Sequence, residues 1–402
     1  MLSRQYNRQL FNEKTKGTDM AVVEGVMGLF DGYDGLSESG STAQMAKWLD
    51  LPVVLVVSAK GKARSAAAIV QGFEDFDRDL KIAGVIFSKT GSLRHYEYLK
   101  NAVEQTCRTK CLGFMPKNDS IVMPERHLGL VTADELTMDK KVLSTLRNMV
   151  EDHIDIPGLI HSLESFEKKE PEALQSSLDS STFIEKGPRI AVARDSAFCF
   201  YYRDNLEILE KFNAKIVEFS PLNDDRLPDD IDGIYFGGGY PEVFAKKLSQ
   251  KKNLLNEIRE KSVSGMPIYG ECGGFMFLCN KLSGMDEIQK YSMSGCFDFK
   301  VQMSKRLRSL GYREITLKED TIIGKKGDRL RGHEFHYSSL ENSKTSVTDV
   351  YKVSSRAGQE VSLKGYQVFN TLGSYLHIHF GSNEGCAKHF VKTCKAFKDN
   401  KN

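Results

Sequence analysis

The chain has 402 residues, eight Cys and a net charge of +2 from 56 basic and 54 acidic side chains. That length accommodates two or three domains, and the near-neutral balance excludes a global attraction to nucleic acid or an anionic membrane. The Cys are scattered, with no C-x-x-C pair and no close Cys/His ligand set, which argues against a zinc site or a disulfide framework and fits a reducing cytosol. No apolar run approaches the roughly 18 residues of a membrane helix, no signal peptide opens the chain, and no internal repeat is present.

Taken in chain order, residues 21–26 (AVVEGV) are apolar and β-branched and predict a strand. Helical spacing follows over 41–49, with Ser41 or Thr42 as N-cap. Residues 52–58 (PVVLVVS) are apolar almost throughout, as in a parallel strand buried on both faces. A helix is predicted over 63–79, a strand over 81–88 and a helix over 93–105. This alternation predicts a doubly wound α/β layer. From 162 to 187 the chain is polar, charged and Ser-rich, which predicts a linker.

A second α/β run follows. Strands are predicted at 189–194, 216–219, 234–236 and 267–269, with helices at 205–212 and 245–261. After about Asp298 the pattern is β-rich, through YREITL, GHEFHYSSL, DVYKVSS and YQVFNTLGSYLHIHF, the last read as one long strand. The fold class expected is α/β, with two doubly wound, mainly parallel-sheet domains.

The segment MPIYGECGGFMFL, 266–278, sets a Cys between glycines at a strand-to-helix junction. This is the G-x-nucleophile-x-G pattern of a nucleophile elbow, where small neighbours let a tight, strained turn close. Cys272 would stand above the strand ends, and the new helix's N-terminus would favour its thiolate. Taken alone, a buried Cys at a Gly-rich turn is the plain alternative. In IYFGGGYPEVF, 234–244, Gly238 and Gly239 could present backbone N–H groups to an oxyanion; alone, the segment reads as a strand-end turn. In SYLHIHFGSN, His377 and His379 are two apart and share a strand face. One is expected to act as general base for Cys272, the alternatives being a backbone-satisfied His or a metal pair with no third ligand nearby.

Glu24 and Asp31 in EGVMGLFDG are carboxylates at a strand end, where Mg²⁺ can be held, or else solvated turn residues. RGHEFHYS, 331–338, lacks the H-E-x-x-H spacing of a zinc protease. It leaves His333 and Glu334 between lining an interface of two sites and pairing in a hairpin. Arg126 and His127 in PERHLGL could contact an anionic substrate or pack the domain.

In their order and spacing, VVEGVMGLFDG (22–32), MPERHLGLVTADE (123–135), IAVARDSAFCFYYRDNLEIL (190–209), FSPLNDD (219–225), GGYPE (238–242), YGECGGFMFL (269–278), LGYRE (310–314), RGHEFHYS (331–338) and SYLHIHF (374–380) resemble the cobyrinic acid a,c-diamide synthase family. The glutaminase half of that family belongs to the class I glutamine amidotransferases. The resemblance covers nearly the whole chain. It implies ATP- and glutamine-dependent amidation of the a and c acetate carboxylates of cobyrinic acid in cobalamin biosynthesis. Glutamine would be hydrolysed at a Cys-His site, and ammonia would reach acyl phosphates in a P-loop NTPase-like domain. Alternatives are a Ni-sirohydrochlorin a,c-diamide synthase, a glutaminase-only subunit or remnant, and a non-enzymatic tetrapyrrole or nucleotide binder.

The implied domains are an amidoligase domain at 1–161, the linker at 162–187 and a glutamine amidotransferase domain at 188–396. By resemblance Cys272 is the nucleophile and His377, preferred to His379, is the base. The usual acidic third member is expected to be absent, because His379 stands where relatives often carry Glu. Gly238 and Gly239 match the oxyanion segment, with Gly237 where the family commonly has Pro. Glu24 and Asp31 match the Mg²⁺ and acyl-activation carboxylates. The expected cofactors are ATP and Mg²⁺. The expected partners are glutamine and cobyrinic acid or a related tetrapyrrole, with no nucleic acid, no membrane, and a homodimer as the candidate assembly in the cytoplasm.

One departure stands out. The family opens with a strand and G-x-x-x-x-G-K-[ST], whose N–H groups and Lys cradle phosphates. That motif does not occur in this sequence. AKGKARS (59–65) has Gly61 and Lys62 but neither the spacing nor the following Ser/Thr. Met1 is expected to begin inside the helix preceding the 21–26 strand. A start set too late is favoured over a split synthetase or a decayed half, and the chain as written is expected to be weak or inactive in ATP-dependent amidation.

Overall fold

The computed structural model describes residues 1–118, 121, 139–164, 166, 187–284, 288–341 and 347–401. The chain divides into two compact units, Arg4–Leu178 and Asp179–Asn402 with Met1–Ser3.

In the Arg4–Leu178 unit, β1 (Val53–Ser58), β2 (Ile82–Thr90) and β3 (Cys111–Pro116) form a parallel sheet in that order. Helices Ser65–Phe76 and Leu93–Thr106 make the crossovers that parallel neighbours require. Ser41 caps the helix Thr42–Leu49 by accepting from Gln44 N–H. Val57, Val70, Val85, Phe87, Leu99 and Phe114 build the core.

Residues 21–26 do not form the expected strand and pair with none of these three. Val22 is 89% and Val26 91% exposed. A β-branched run becomes a strand only where a ladder takes its N–H and C=O groups and a surface covers its side chains. The 123–135 motif, with Arg126 and His127, lies outside the described residues, as does most of 162–187. The start set for the linker falls inside the helix Ile156–Glu164.

The other unit holds β4 (Arg189–Ala193), β5 (Lys215–Phe219), β6 (Gly233–Phe236), β7 (Ile268–Glu271), β8 (Cys279–Ser283), β9 (Lys290–Ser292), β10 (Phe297–Met303), β11 (Ser309–Leu317), β12 (Arg329–His336), β13 (Ser338–Glu341), β14 (Thr348–Asp349), β15 (Tyr351–Ser355), β16 (Glu360–Val361), β17 (Gly365–Val368), β18 (Thr371–Ser374) and β19 (Leu376–His379). Its central sheet runs β14-β17-β18-β7-β6-β4-β5 and is parallel from β18 to β5. Ile190 and Val192 of β4 face one core, and Ala191 and Ala193 the other. That two-sided burial is why the sequence is apolar at successive positions. A second sheet runs β13-β10-β8-β9 and a third β16-β15-β11-β12-β19.

Two elements differ from the sequence reading. The predicted 245–261 helix is two helices, Ala245–Gln250 and Lys252–Val263, because Lys251 leaves helical geometry and its Nζ bonds Asn223 O and Asp225 Oδ1 at 2.9 and 2.8 Å. The last long strand is three. β18 pairs with β7 in the central sheet, and after Tyr375 the chain enters β19 beside β12 in the third sheet. Every residue of β18 and β19 is buried, so burial pattern alone could not reveal where hydrogen-bond partners change.

Candidate active site

The elbow forms as the sequence indicates. Cys272 follows β7, caps the helix Gly273–Leu278, and has φ 47° and ψ −104°. A non-Gly residue in that region stores strain and persists only where the surroundings over-determine it. Its own N–H is held by Ser374 O at 2.8 Å. Gly274 makes the turn sterically feasible, since a Cβ there would stand 2.3 Å from Phe236 O.

The thiol does not take the expected ionised form. Burial pushes its pKa above the ordinary value, and Glu242, Glu271 and Glu334 add to the shift against the favourable Gly273 N–H. The Sγ–H donates instead to Phe335 O in β12, at 3.7 Å. Desolvation and three carboxylates outweigh one short helix terminus.

Gly238 and Gly239 behave differently from each other. The Gly238 N–H is already donated to Phe200 O at 3.0 Å, so it has no free donor to offer. This corrects the expectation for Gly238: its contribution is space. A Cβ on it would stand 2.2 Å from His377 Cε1, so only Gly lets the imidazole lie against this loop. The Gly239 N–H donates to no backbone carbonyl among the described residues. The Gly239 backbone packs against the elbow: a Cβ built on Gly273 would stand 2.9 Å from Gly239 N and 3.1 Å from Gly239 O.

His377 and His379 do share a face. Tyr202 packs on His379 with ring centroids 4.4 Å apart, and its O–H pairs with His333 Nδ1 at 2.6 Å. His333 in turn stacks on His377. The two His of β19 nevertheless differ. His379 Nδ1 accepts the Gly381 N–H at 3.1 Å and its Nε2 lies 3.8 Å from Asp204 Oδ2, so it serves the chain turn that follows. His377 faces the glycine loop, and burial, then His333 and His336, hold its pKa well below the ordinary value. The thiol and the imidazole are therefore both neutral at rest.

Sequence reasoning left the 331–338 motif without a role and passed over the group next to the nucleophile. The motif is β12, lying between β11 and β19, with His333 directly opposite His377. Glu334 is buried and bonds Arg313 Nε at 3.0 Å and His336 Nε2 at 2.9 Å. Glu271 is buried beside Cys272 and accepts from Tyr269 O–H (2.7 Å), Tyr235 O–H (3.0 Å) and Ile378 N–H (3.0 Å). Burial raises its pKa to about 7 against these three bonds. The signal was there: a Glu inside the otherwise apolar PIYGEC strand needs buried partners.

Glu24 and Asp31 are both exposed, outside any helix or strand. Asp31 Oδ2 lies against Gly28, within 2.0 Å of where a Cβ would stand. Among the described residues no group of three or more His, Cys, Asp or Glu could hold a metal ion. Glu24 and Asp31 are thus exposed side chains and not members of a metal-binding cluster of three or more such groups. No described helix is long and apolar enough to cross a membrane.

The family model for the CobB/CobQ-like glutamine amidotransferase domain matches residues 189–385, and that for an AAA domain matches residues 3–125. A cobyrinate a,c-diamide synthase from Caldanaerobacter subterraneus subsp. tengcongensis is 39% identical over 398 residues, covering 99% of this chain and 86% of the relative. One from Listeria innocua is 41% identical over 376 residues, covering 93% and 81%. Among solved structures, the PurLQS structure from Thermotoga maritima is similar at 16% identity and a TM-score of 0.37, over 52% of this chain and 99% of that one.

Proposed function

The chain belongs to the cobyrinate a,c-diamide synthase family, and from that premise we propose that it amidates the a and c acetate carboxylates of cobyrinic acid with ammonia drawn from glutamine. The observation carrying this reading is the elbow itself, a strained Cys272 whose successor Gly273 lies against the Gly239 backbone, with His377 packed on the adjoining Gly238.

In this reading the Cys272 thiol passes its proton to the His377 imidazole as sulfur attacks the glutamine carboxamide carbon. The Gly239 and Gly273 N–H groups receive the negative oxygen that develops. The protonated imidazole gives its proton to the departing nitrogen, which leaves as ammonia, and a glutamyl thioester remains. Water then attacks that thioester, with His377 taking its proton, and glutamate and the free thiol are restored. A neutral thiol and a neutral imidazole suit this order, because the charge appears only as the bond forms. Ammonia displaces the leaving group of an activated corrin acetate. Family membership points to ATP as the source of that activation, with Mg²⁺ as its companion.

The test is glutamate release by the full chain, wild type against Cys272→Ser and His377→Ala, alongside amide formation on cobyrinic acid supplied with glutamine or with ammonium. Cys272→Ser is expected to lose glutamate release and glutamine-dependent amidation, by at least about 10³-fold. Glutamate release by Cys272→Ser at the wild-type rate would overturn the reading.

A further inference from the structure

Ile378, the residue after His377, is gripped at both ends by buried side chains. Its N–H donates to Glu271 Oε1 at 3.0 Å, and its C=O accepts from Asn205 Nδ2 at 2.7 Å. Asn205 is fully buried in the helix Arg203–Lys211, and its Oδ1 also accepts the Phe380 N–H at 2.7 Å. β19 ends the order of its sheet, with β12 on one side and no strand on the other among the described residues. Two side chains therefore stand where a second ladder would be, on the edge of the strand that carries His377.

Glu271 is covalently next to Cys272. One carboxylate thus touches the strand of the sulfur and the strand of the imidazole, which belong to different sheets. The turn at Tyr375 also joins β18, the neighbour of β7, to β19. Tyr269 donates to the same carboxylate oxygen as Ile378 and Tyr235 to the other, which fixes the carboxylate plane. We propose that Glu271 is a positioning residue for glutamine hydrolysis, setting His377 relative to Cys272 through the Ile378 peptide. The inference rests on the proposed roles of Cys272 and His377. It requires an acceptor oxygen at this point, not a negative charge, and Asn205 completes the grip from the opposite side.

The test uses the full chain, with glutamate release and the rate at which a chloroketone analogue of glutamine alkylates Cys272. Glu271→Met keeps the volume and loses the acceptor. Its kcat is expected to fall about 100-fold with KM within about threefold of wild type, the pattern of misaligned reacting groups with intact binding. Glu271→Gln, which keeps an acceptor oxygen, is expected to restore kcat to within about threefold of wild type. A folded Glu271→Met with wild-type kcat overturns the proposal, and so does a folded Glu271→Gln as slow as the Met variant. Should the Met variant not fold, Asn205→Asp decides. It keeps the acceptor for Phe380 and loses the donor to Ile378, and the same fall in kcat at unchanged KM is expected; wild-type kcat in it overturns the proposal. Cys272→Ala run in parallel separates the two readings: if it hydrolyses glutamine the underlying assignment fails, and if it does not, an unchanged Glu271→Met removes only the positioning role.

Discussion

The imidazoles of His333 and His377 stack face to face, with centroids 4.6 Å apart and planes 9° from parallel. Two buried rings at that separation cannot both carry charge. Burial holds His333 down to about 4 and His377 well below its ordinary value. An imidazole with a lowered pKa stays neutral, and competent as a base, as pH falls past the ordinary 6.5. The acid limb of kcat/KM for glutamine hydrolysis is expected below that value, and a pH–rate profile locating it at or above 6.5 would count against burial of the stacked pair as the cause.

The Cys272 thiol is raised above its ordinary 9.0 by burial and nearby carboxylates. Iodoacetamide should therefore alkylate the resting protein's Cys272 more slowly at neutral pH than it alkylates a free thiol, with the rate climbing only above the ordinary value. Peptide mapping after timed labelling measures this, and faster-than-free labelling at neutral pH would show a preformed thiolate.

Gly238→Ala places a methyl 2.2 Å from His377 Cε1. The ring must move, so glutaminase kcat should drop about 100-fold. The overpacking should also cost about 1–3 kcal/mol of stability. Enzyme kinetics and a denaturant titration read the two effects separately.

Glu271 in the folded chain has its pKa raised from 4.5 to about 7. Below the unfolded value both states hold the proton and pH has no effect through this group. As pH rises from there, the unfolded chain releases the proton first, so the folded state loses stability until its own carboxyl ionises near neutrality. The loss amounts to about 3 kcal/mol. Glu271→Gln removes this slope, and the stability difference between variant and wild type should move in the variant's favour between acid and mildly alkaline pH. Denaturant melts across that range provide the comparison, and parallel curves would contradict it.

Arg313 and Glu334 form a buried ion pair at 3.0 Å, with His336 on the other carboxylate oxygen. Arg313→Met strands the carboxylate and should destabilise the protein by about 3 kcal/mol. Adding Glu334→Gln should recover much of that loss, since the uncompensated charge is gone. A double-mutant cycle by denaturant titration tests the coupling.

Much of this was legible in the sequence. The apolar run at 52–58, the Ser41 cap and the G-E-C-G-G junction each report a local constraint: a strand buried on both faces, an unpaired helix N–H, and a turn too tight for side chains. Motif order carried the family. Residues 21–26 misled, because β-branched composition speaks for a strand without saying whether any partner lies alongside. SYLHIHF misled in the same way, since a strand that changes sheets at Tyr375 is as apolar before the change as after it.

Sequence alone determined which residue is the strained Cys, that the run at 52–58 is a parallel-type strand and which His pair shares a face, because these follow from sterics and periodicity within a few residues. Tertiary structure decided that the Gly238 N–H is taken by Phe200, that the thiol keeps its proton, that His333 stacks on His377, and that Glu271 and Asn205 grip Ile378. Those depend on desolvation and on partners far away along the chain, from about 38 residues for Gly238 to about 173 for Asn205. Only the folded chain brings such groups within hydrogen-bonding distance.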